Sequence, residues 1–370
     1  MASGFCLKVK LAKRYSRGLL GLRAYPVRSS LVALFVRTLI VCSLVACLSP
    51  VAISQYLDSA EIRLLNQLQD HLMNDQFCRA DSICTTMINQ DSSCATGHLF
   101  RGITMMTEMV DREENLYPVQ FERTLDKAET LSLQSLQRDS LDVWSLLVVG
   151  HTKMYRSLWQ ARFGSTVGAI RLAMQARGDY ERALHIDSSF YDLYLGLGLY
   201  HYWKSAKAGL LRSIGLFKND RDRGIRELYF AADSSIFSRQ PARSALASVW
   251  LDRKQYDSVI ALCRDLLREF PHGKAMLWPL GEAYVKSNQY ADAAVVYATL
   301  RERLQLVPGN YFNLIECDYN LYRCREKLKE AAEAHSVARR TASYYSKVPA
   351  TIRSRQRSKL AYLMRASRPK

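Results

Sequence analysis

A short pattern recurs along this chain at regular distances. An Asp-Ser pair is followed by a glycine eleven residues after the aspartate, at Asp91 to Gly102, Asp139 to Gly150 and Asp187 to Gly198. A fourth copy, from Asp233 to Ala247, carries three extra residues around Pro241. An internal repeat predicts stacked copies of one supersecondary unit, which build a long surface rather than a single catalytic pocket.

A second period of 34 residues lies later in the chain. Leu246, Ala247, Trp250, Tyr256 and Val259 recur as Leu280, Gly281, Tyr284, Tyr290 and Ala293. This pattern of small and aromatic positions resembles the tetratricopeptide repeat (TPR), and its best single copy is Leu277, Leu280, Gly281, Tyr284, Tyr290, Ala293 and Tyr297. The resemblance implies an all-α, right-handed solenoid of about six to seven helical hairpins over residues 55–340.

The middle of the chain departs from that family. The three aspartates of the first pattern are 48 residues apart, so each central unit carries about fourteen residues more than a TPR. We expect them in longer helices or connectors, such as Asp111–Asn115 with Pro118 and the stretch Lys207–Asp220. The Asp-Ser pairs are expected to cap free backbone N–H groups before the next helix.

The first 54 residues are interpreted as a targeting segment. A basic leader without acidic residues precedes the apolar run Leu39–Leu48, and Ala52-Ile53-Ser54 before Gln55 resembles a signal-peptidase site. Leu44-Val45-Ala46-Cys47 also resembles a bacterial lipobox, with Cys47 as the lipidated residue. Both alternatives place the rest of the chain outside the cytoplasm, in the periplasm, at the cell envelope or secreted.

Two further alternatives for the leader stay open. Leu31–Ile53 is long enough for an uncleaved membrane anchor, although Arg37 lies inside it. The anchor would also leave the solenoid outside the cytoplasm, because the basic flank stays inside. The arginine-rich leader is also similar to a mitochondrial transit peptide.

The formal charge of +17 is concentrated at the two ends of the chain. Eight basic residues precede the first acidic residue, Asp58, and ten follow the last, Glu333. The stretch between them is nearly neutral, with 34 basic and 35 acidic residues, so nucleic-acid binding by the solenoid is unlikely on charge grounds. Residues 341–370 are predicted to form a basic capping helix and tail, with Ile352, Leu360 and Leu363 as its apolar stripe.

The residue pattern suggests no chemistry. No phosphate-binding loop, zinc-protease motif, nucleophile elbow or Cys-x2-Cys pair occurs, and no two histidines have metal-ligand spacing on one helix. We therefore predict no catalytic residue, no metal and no cofactor. Cys84 and Cys94 could pair in an oxidising compartment, but Cys84 and Cys263 occupy positions normally filled by apolar side chains, which favours buried thiols.

In TPRs the first helix of each hairpin lines an inner groove. Carrying that register over implies a partner-binding groove of aromatic, charged and amide side chains: Trp144, His151, Tyr155, Tyr202, Trp203, Trp278, Glu282, Lys286, Phe312, Glu316, Tyr319 and Asn320. Aromatic side chains that stacking does not require are good anchors for a partner peptide, and neighbouring charges set its orientation. Burial against the longer central helices is the alternative for Trp144 and Trp203.

These observations favour a non-enzymatic scaffold that mediates protein–protein interaction at the cell envelope or outside the cytoplasm. One alternative is a binder of anionic lipid, polysaccharide or nucleic acid through the basic tail. A second is an envelope enzyme or enzyme-assisting subunit whose site lies in the 48-residue central units. The partner of the scaffold is a protein or peptide, and the N-terminus is a possible membrane tether.

Overall fold

The computed structural model of this chain describes residues 57–207 and 219–368. Within these ranges the regular structure is helical and no strand occurs, which confirms the all-α class. The α-helices are α1 Ser59–Met73, α2 Phe77–Gln90, α3 Ala95–Arg112, α4 Pro118–Arg138, α5 Val143–Phe163, α6 Thr166–Ile186, α7 Leu193–Lys207, α8 Arg221–Ser234, α9 Arg239–Asp252, α10 Tyr256–Glu269, α11 Leu277–Lys286, α12 Tyr290–Gln305, α13 Tyr311–Lys327, α14 Ala331–Tyr344, α15 Ala350–Arg355 and α16 Arg357–Ala366. The leader, residues 1–54 with Cys47, lies outside the described residues.

Helices α1 to α14 pack in chain order as helical hairpins. Each odd-numbered helix lies against the helix that follows it, and each hairpin packs against the next one along the chain. Within the described ranges this makes seven hairpins in a TPR-like solenoid, which confirms the expected number. The two short helices α15 and α16 come after the last hairpin, and α16 packs on both α13 and α14.

One turn geometry recurs inside the four hairpins that have short connectors, and the second hairpin has it too, at Glu113 before its longer connector. The first helix ends at a residue with a left-handed backbone, with φ between 57° and 61° at Asp75, Lys254, Asn288 and Lys329. The next residue then donates its backbone N–H to a carbonyl five positions earlier, as in the 2.8 Å bond from Gln289 to the Tyr284 oxygen. This helix-terminating turn explains the short period, because it reverses the chain with almost no connecting residues.

The longer central period has two sources. Helices α4, α5 and α6 have 21 residues each, whereas α10 has 14. The connector after α3 adds a few more residues to the period, since α4 begins only at Pro118. The Asp-Ser pairs stabilise the turns between hairpins: Asp91 accepts a 2.8 Å hydrogen bond from the Ser93 N–H, and Asp187 accepts one of 2.9 Å from Ser189. The aspartates therefore cap free backbone N–H groups in the turn before the next helix, as expected from the sequence.

The repeated glycines mark the places where two helices of a hairpin touch. A Cβ added at Gly281 on α11 would lie 2.7 Å from the Tyr297 Cζ atom of α12. A Cβ added at Gly102 would approach the Leu125 side chain as closely, and one added at Gly150 would approach the Tyr180 ring as closely. A larger side chain at such a position would push the helices apart, and this is why the pattern requires a small residue there.

Candidate partner-binding surface

Three residues of the predicted groove lie in the core. Trp144 is 9% exposed, His151 is 4% exposed and Tyr202 is fully buried. The Trp144 indole N–H donates a 2.9 Å hydrogen bond to Thr96, and the Tyr202 hydroxyl donates one of 2.7 Å to Asp252. These three side chains pack between hairpins and are not accessible to a partner.

His151 is held neutral by its surroundings. Its Nδ1 atom lies 3.1 Å from the Leu147 carbonyl oxygen and 3.2 Å from the Tyr180 hydroxyl. Burial lowers the pKa of His151 to about 4, because the charged imidazolium would lose its hydration.

A side chain from the chain itself fills the inner face of the central hairpins. The Phe237 ring, from the connector between α8 and α9, packs edge-on against Phe100 and Trp144, with centroid distances of 5.4 and 5.7 Å. His151 lies on the same ring, 6.3 Å away. Phe237 is only 4% exposed. It therefore covers Trp144 and His151, two residues of the predicted groove.

A buried carboxylate holds this connector in place. Asp192, 1% exposed just before α7, accepts backbone N–H bonds from Ile236, Phe237 and Ser238 at 2.8 to 3.0 Å. Burial raises the pKa of Asp192, while these donors act in the opposite direction. Three backbone N–H groups that donate to one carboxylate fix the backbone of the connector, and this holds Phe237 in its buried position.

The first and the later hairpins also meet directly. The Lys274 ammonium, in the connector before α11, lies 2.8 Å from the Asp75 carboxylate and 3.4 Å from that of Asp111. Asn310 and Asn313 both donate to the Asp111 carbonyl oxygen, at 3.0 and 2.7 Å. We call the ion triad Asp75–Lys274–Asp111 the clasp. It joins Lys274 to residues 163 and 199 positions earlier in the chain and closes the solenoid on itself.

The C-terminal segment covers three more of the predicted groove residues. The Arg355 guanidinium lies 4.2 Å from the centre of the Phe312 ring. Lys359 forms an ion pair with Glu316. Tyr362 packs edge-on against Tyr319, with 5.6 Å between the ring centroids. Phe312, Glu316 and Tyr319 are therefore engaged within the chain by α15 and α16.

Three of the twelve predicted residues remain together on an accessible face. Trp278, Glu282 and Lys286 follow one another at four-residue spacing on α11, so they lie on one side of that helix. Trp278 is half-buried on Tyr297, at 6.5 Å between ring centroids, while Glu282 and Lys286 are exposed. Neither charge has an ion-pair partner among the described residues. We call these three residues the α11 face.

The other three predicted residues are separate. Tyr155 is half-buried and lines a cavity. Trp203 is half-buried against the core of the fourth and fifth hairpins. The Asn320 side chain donates a 3.0 Å hydrogen bond to the Glu316 carbonyl oxygen. The three residues of the α11 face thus lie together in the structure, whereas the other nine residues of the predicted groove do not share this face.

The described residues contain no group of three His, Cys, Asp or Glu side chains placed to hold a metal ion. His201, on α7, lies 2.6 Å from Glu227 of α8 in a buried pair that joins the two helices. Burial raises the pKa of Cys84 and Cys263 to about 12, so both are protonated thiols in the core. Among the described helices, none is both long and apolar enough to cross a bilayer.

The sequence reasoning missed Phe237, Asp192 and Lys274. A signal for Phe237 was available, because the fourth Asp-Ser window has three extra residues next to this connector. An interruption of a repeat often marks an insertion with a role of its own. Asp192 and Lys274 carry no comparable signal.

No family model and no curated protein matches this chain. Among solved structures, it is similar to the crystal structure of yeast Tom70, with 10% sequence identity and a TM-score of 0.32. The match covers 80% of this chain and 86% of that one.

Proposed function

We propose that this chain is a non-enzymatic scaffold that binds a segment of a partner protein at the α11 face. The observation that carries the proposal is the combination on that face of a half-exposed tryptophan with one free acidic and one free basic side chain. Tryptophan is enriched among the residues that dominate binding energy, and flanking charges set the orientation of the partner. Trp278 would therefore anchor the segment, and Glu282 and Lys286 would select it.

The burial of Phe237 against the central hairpins supports a binding mode different from that of an open TPR groove. With Phe237 inserted between the central hairpins, the partner has no long channel to enter. The α11 face instead offers a short contact with one aromatic anchor. Such a contact fits a transient interaction, because small interfaces generally belong to transient encounters.

We further propose that the protein acts outside the cytoplasm, at the cell envelope or as a secreted chain. The support is the leader of the sequence, in which a basic segment is followed by an apolar run and an Ala-x-Ser site before Gln55. A membrane tether would come from lipidated Cys47 or from an uncleaved anchor.

A photo-crosslinking side chain at position 282 tests the α11 face in the native cell. A matched control carries the same side chain at position 306, because Leu306 is 82% exposed and follows α12 rather than lying on α11. We expect one protein to be captured from position 282 and not from position 306. Capture that is equal at both positions, or absent at both, would contradict the proposal.

A further inference from the structure

A cavity of about 270 Å³ lies where the solenoid closes on itself. Its apolar wall comes from separate hairpins, with Leu72 on α1, Ile103 on α3, Leu266 on α10 and Phe270 and Met276 beside the clasp. Its volume is just below the range of about 300–1,000 Å³ that is usual for small-molecule pockets. Asp75 of the clasp also lines it, so the clasp closes one side of the cavity.

Three polar side chains on the cavity wall have no hydrogen-bond partner among the described residues. The Ser244 hydroxyl is buried and unpaired. The Tyr155 hydroxyl accepts and donates no hydrogen bond, and burial raises its pKa to about 12. The Gln69 amide, on a side chain that is 8% exposed, is also unpaired. The Ser244 hydroxyl is the one fully buried atom of these three, and a buried polar group without a partner is destabilising, so it calls for an explanation.

Water alone does not explain this arrangement well. An ordered water needs two to four polar partners, whereas nine of the fifteen residues that line this cavity are Leu, Ile, Met, Phe, Pro or Ala. A void with apolar walls and a few convergent polar groups has the composition of a ligand site. The matching ligand has an apolar body for the wall and one polar group for Tyr155, Ser244 or Gln69.

We propose that this cavity binds a small, mostly apolar molecule that carries a single hydrogen-bonding group such as a hydroxyl. The site is distinct from the α11 face and does not depend on the proposed partner. Because its wall draws on the first, second, third and fifth hairpins, a bound molecule would also stabilise the closed solenoid.

The test uses two aromatic probes of nearly equal size, 1-naphthol and naphthalene, which differ by one hydroxyl. We expect both to bind saturably with one site per chain. The Tyr155→Phe variant should weaken 1-naphthol binding by about 3- to 10-fold, since one hydrogen bond is lost, and should change naphthalene binding by less than 2-fold. The control is Tyr191→Phe, because Tyr191 is exposed and its hydroxyl is also unpaired.

A second variant keeps the proposal testable if one hydrogen bond has little effect. Ala275 lines the cavity and is exposed, so Ala275→Phe should obstruct the entrance without disturbing the core. We expect this variant to lose binding of both probes while its helical circular dichroism and its melting temperature stay close to wild type. Absence of saturable binding to the wild-type protein, or unchanged binding to the Ala275→Phe variant, would overturn the proposal.

Discussion

The Phe237 ring packs edge-on against the Trp144 indole, with 5.7 Å between the centroids, although the two residues come from different hairpins. This contact covers Trp144, a residue of the predicted groove, with a side chain of the protein itself. It also joins the fourth and fifth hairpins, through their connector, to the third one. The stability of the central hairpins should therefore depend on Phe237.

Replacing Phe237 by alanine removes that contact and leaves a cavity. We expect the Phe237→Ala variant to lose about 3–5 kcal/mol of unfolding free energy, as is typical for a buried phenylalanine. The control is Phe230→Ala, because Phe230 is 48% exposed on α8, and it should lose about 1 kcal/mol or less. Urea unfolding followed by circular dichroism measures both. Equal losses would mean that Phe237 does not fill the inner face.

The register of the sixth hairpin can be tested with two adjacent residues. Gly281→Leu forces a large side chain against Tyr297, where even a Cβ would lie 2.7 Å from the ring, so we expect it to destabilise by at least about 1–3 kcal/mol. Glu282→Ala, on the exposed side of the same helix, should change stability by about 0.5 kcal/mol or less. Similar shifts in melting temperature would show that the register is wrong.

The clasp should make stability depend on pH. Burial raises the pKa of Asp111 from its ordinary 3.8 to about 6, with Asp75 adding to the rise and Lys274 and Arg112 opposing it. Between pH 3.8 and about pH 6, Asp111 is protonated in the folded state and ionised in the unfolded state. The contribution of Asp111 is therefore fully present below about pH 4 and is lost as the pH rises through 6.

The measurement compares wild type with Asp111→Asn, which does not titrate. We expect the difference in unfolding free energy between them, wild type minus variant, to fall by about 2 kcal/mol from pH 4 to pH 6.5. His151 acts in the opposite direction in both proteins and cancels in this difference, since its lowered pKa costs stability as the pH falls. A difference that is independent of pH would show that Asp111 is not buried in the clasp.

The C-terminal segment should behave as part of the fold. Removing the residues after Lys347 deletes α15 and α16, leaves α14 intact and uncovers Phe312, so we expect a lower melting temperature. The control keeps the helices and removes two charges, with Arg365→Gln and Arg368→Gln, and should melt like wild type. If the truncated chain is as stable as the full one and only loses binding to anionic polymers, the basic-tail alternative gains support.

The leader predicts a processed chain. We expect the mature protein to begin at Gln55, or at a lipidated Cys47, and to leave the cytoplasm. N-terminal sequencing of material from fractionated cells distinguishes these two outcomes, and Cys47→Ala separates a lipoprotein from a secreted protein. A full-length chain in the cytosolic fraction would contradict the proposed location.

The hairpin architecture could be predicted because its determinants are local. A small residue at Gly281 and an aromatic at Tyr297 recur with the period of the unit, so one copy identifies the others. The closure of the solenoid could not be predicted in this way. The contacts of Lys274 with Asp75 and Asp111 join distant hairpins, and they depend on the accumulated curvature of the whole array.

The residues of the predicted groove do not share one exposed face, for the same reason. A helix register assigns residues to the inner side, but it does not tell whether another part of the chain covers that side. Phe237 covers the central hairpins, and Arg355 and Lys359 cover the last one. The α11 face lies between these two covered regions in the chain, and its exposed charges are not paired. Its role as a contact stays a prediction.

The affinity of the captured partner for the Trp278→Ala variant tests the central claim most directly. Isothermal calorimetry at low and high salt would compare wild type, Trp278→Ala and the Arg365→Gln, Arg368→Gln double variant. We predict that Trp278→Ala weakens binding by about 2 kcal/mol, roughly 30-fold, and that the double variant binds like wild type. Most of the wild-type affinity should persist at high salt, because aromatic burial is not screened. Unchanged binding by Trp278→Ala, together with loss of binding in the double variant or at high salt, would contradict the account.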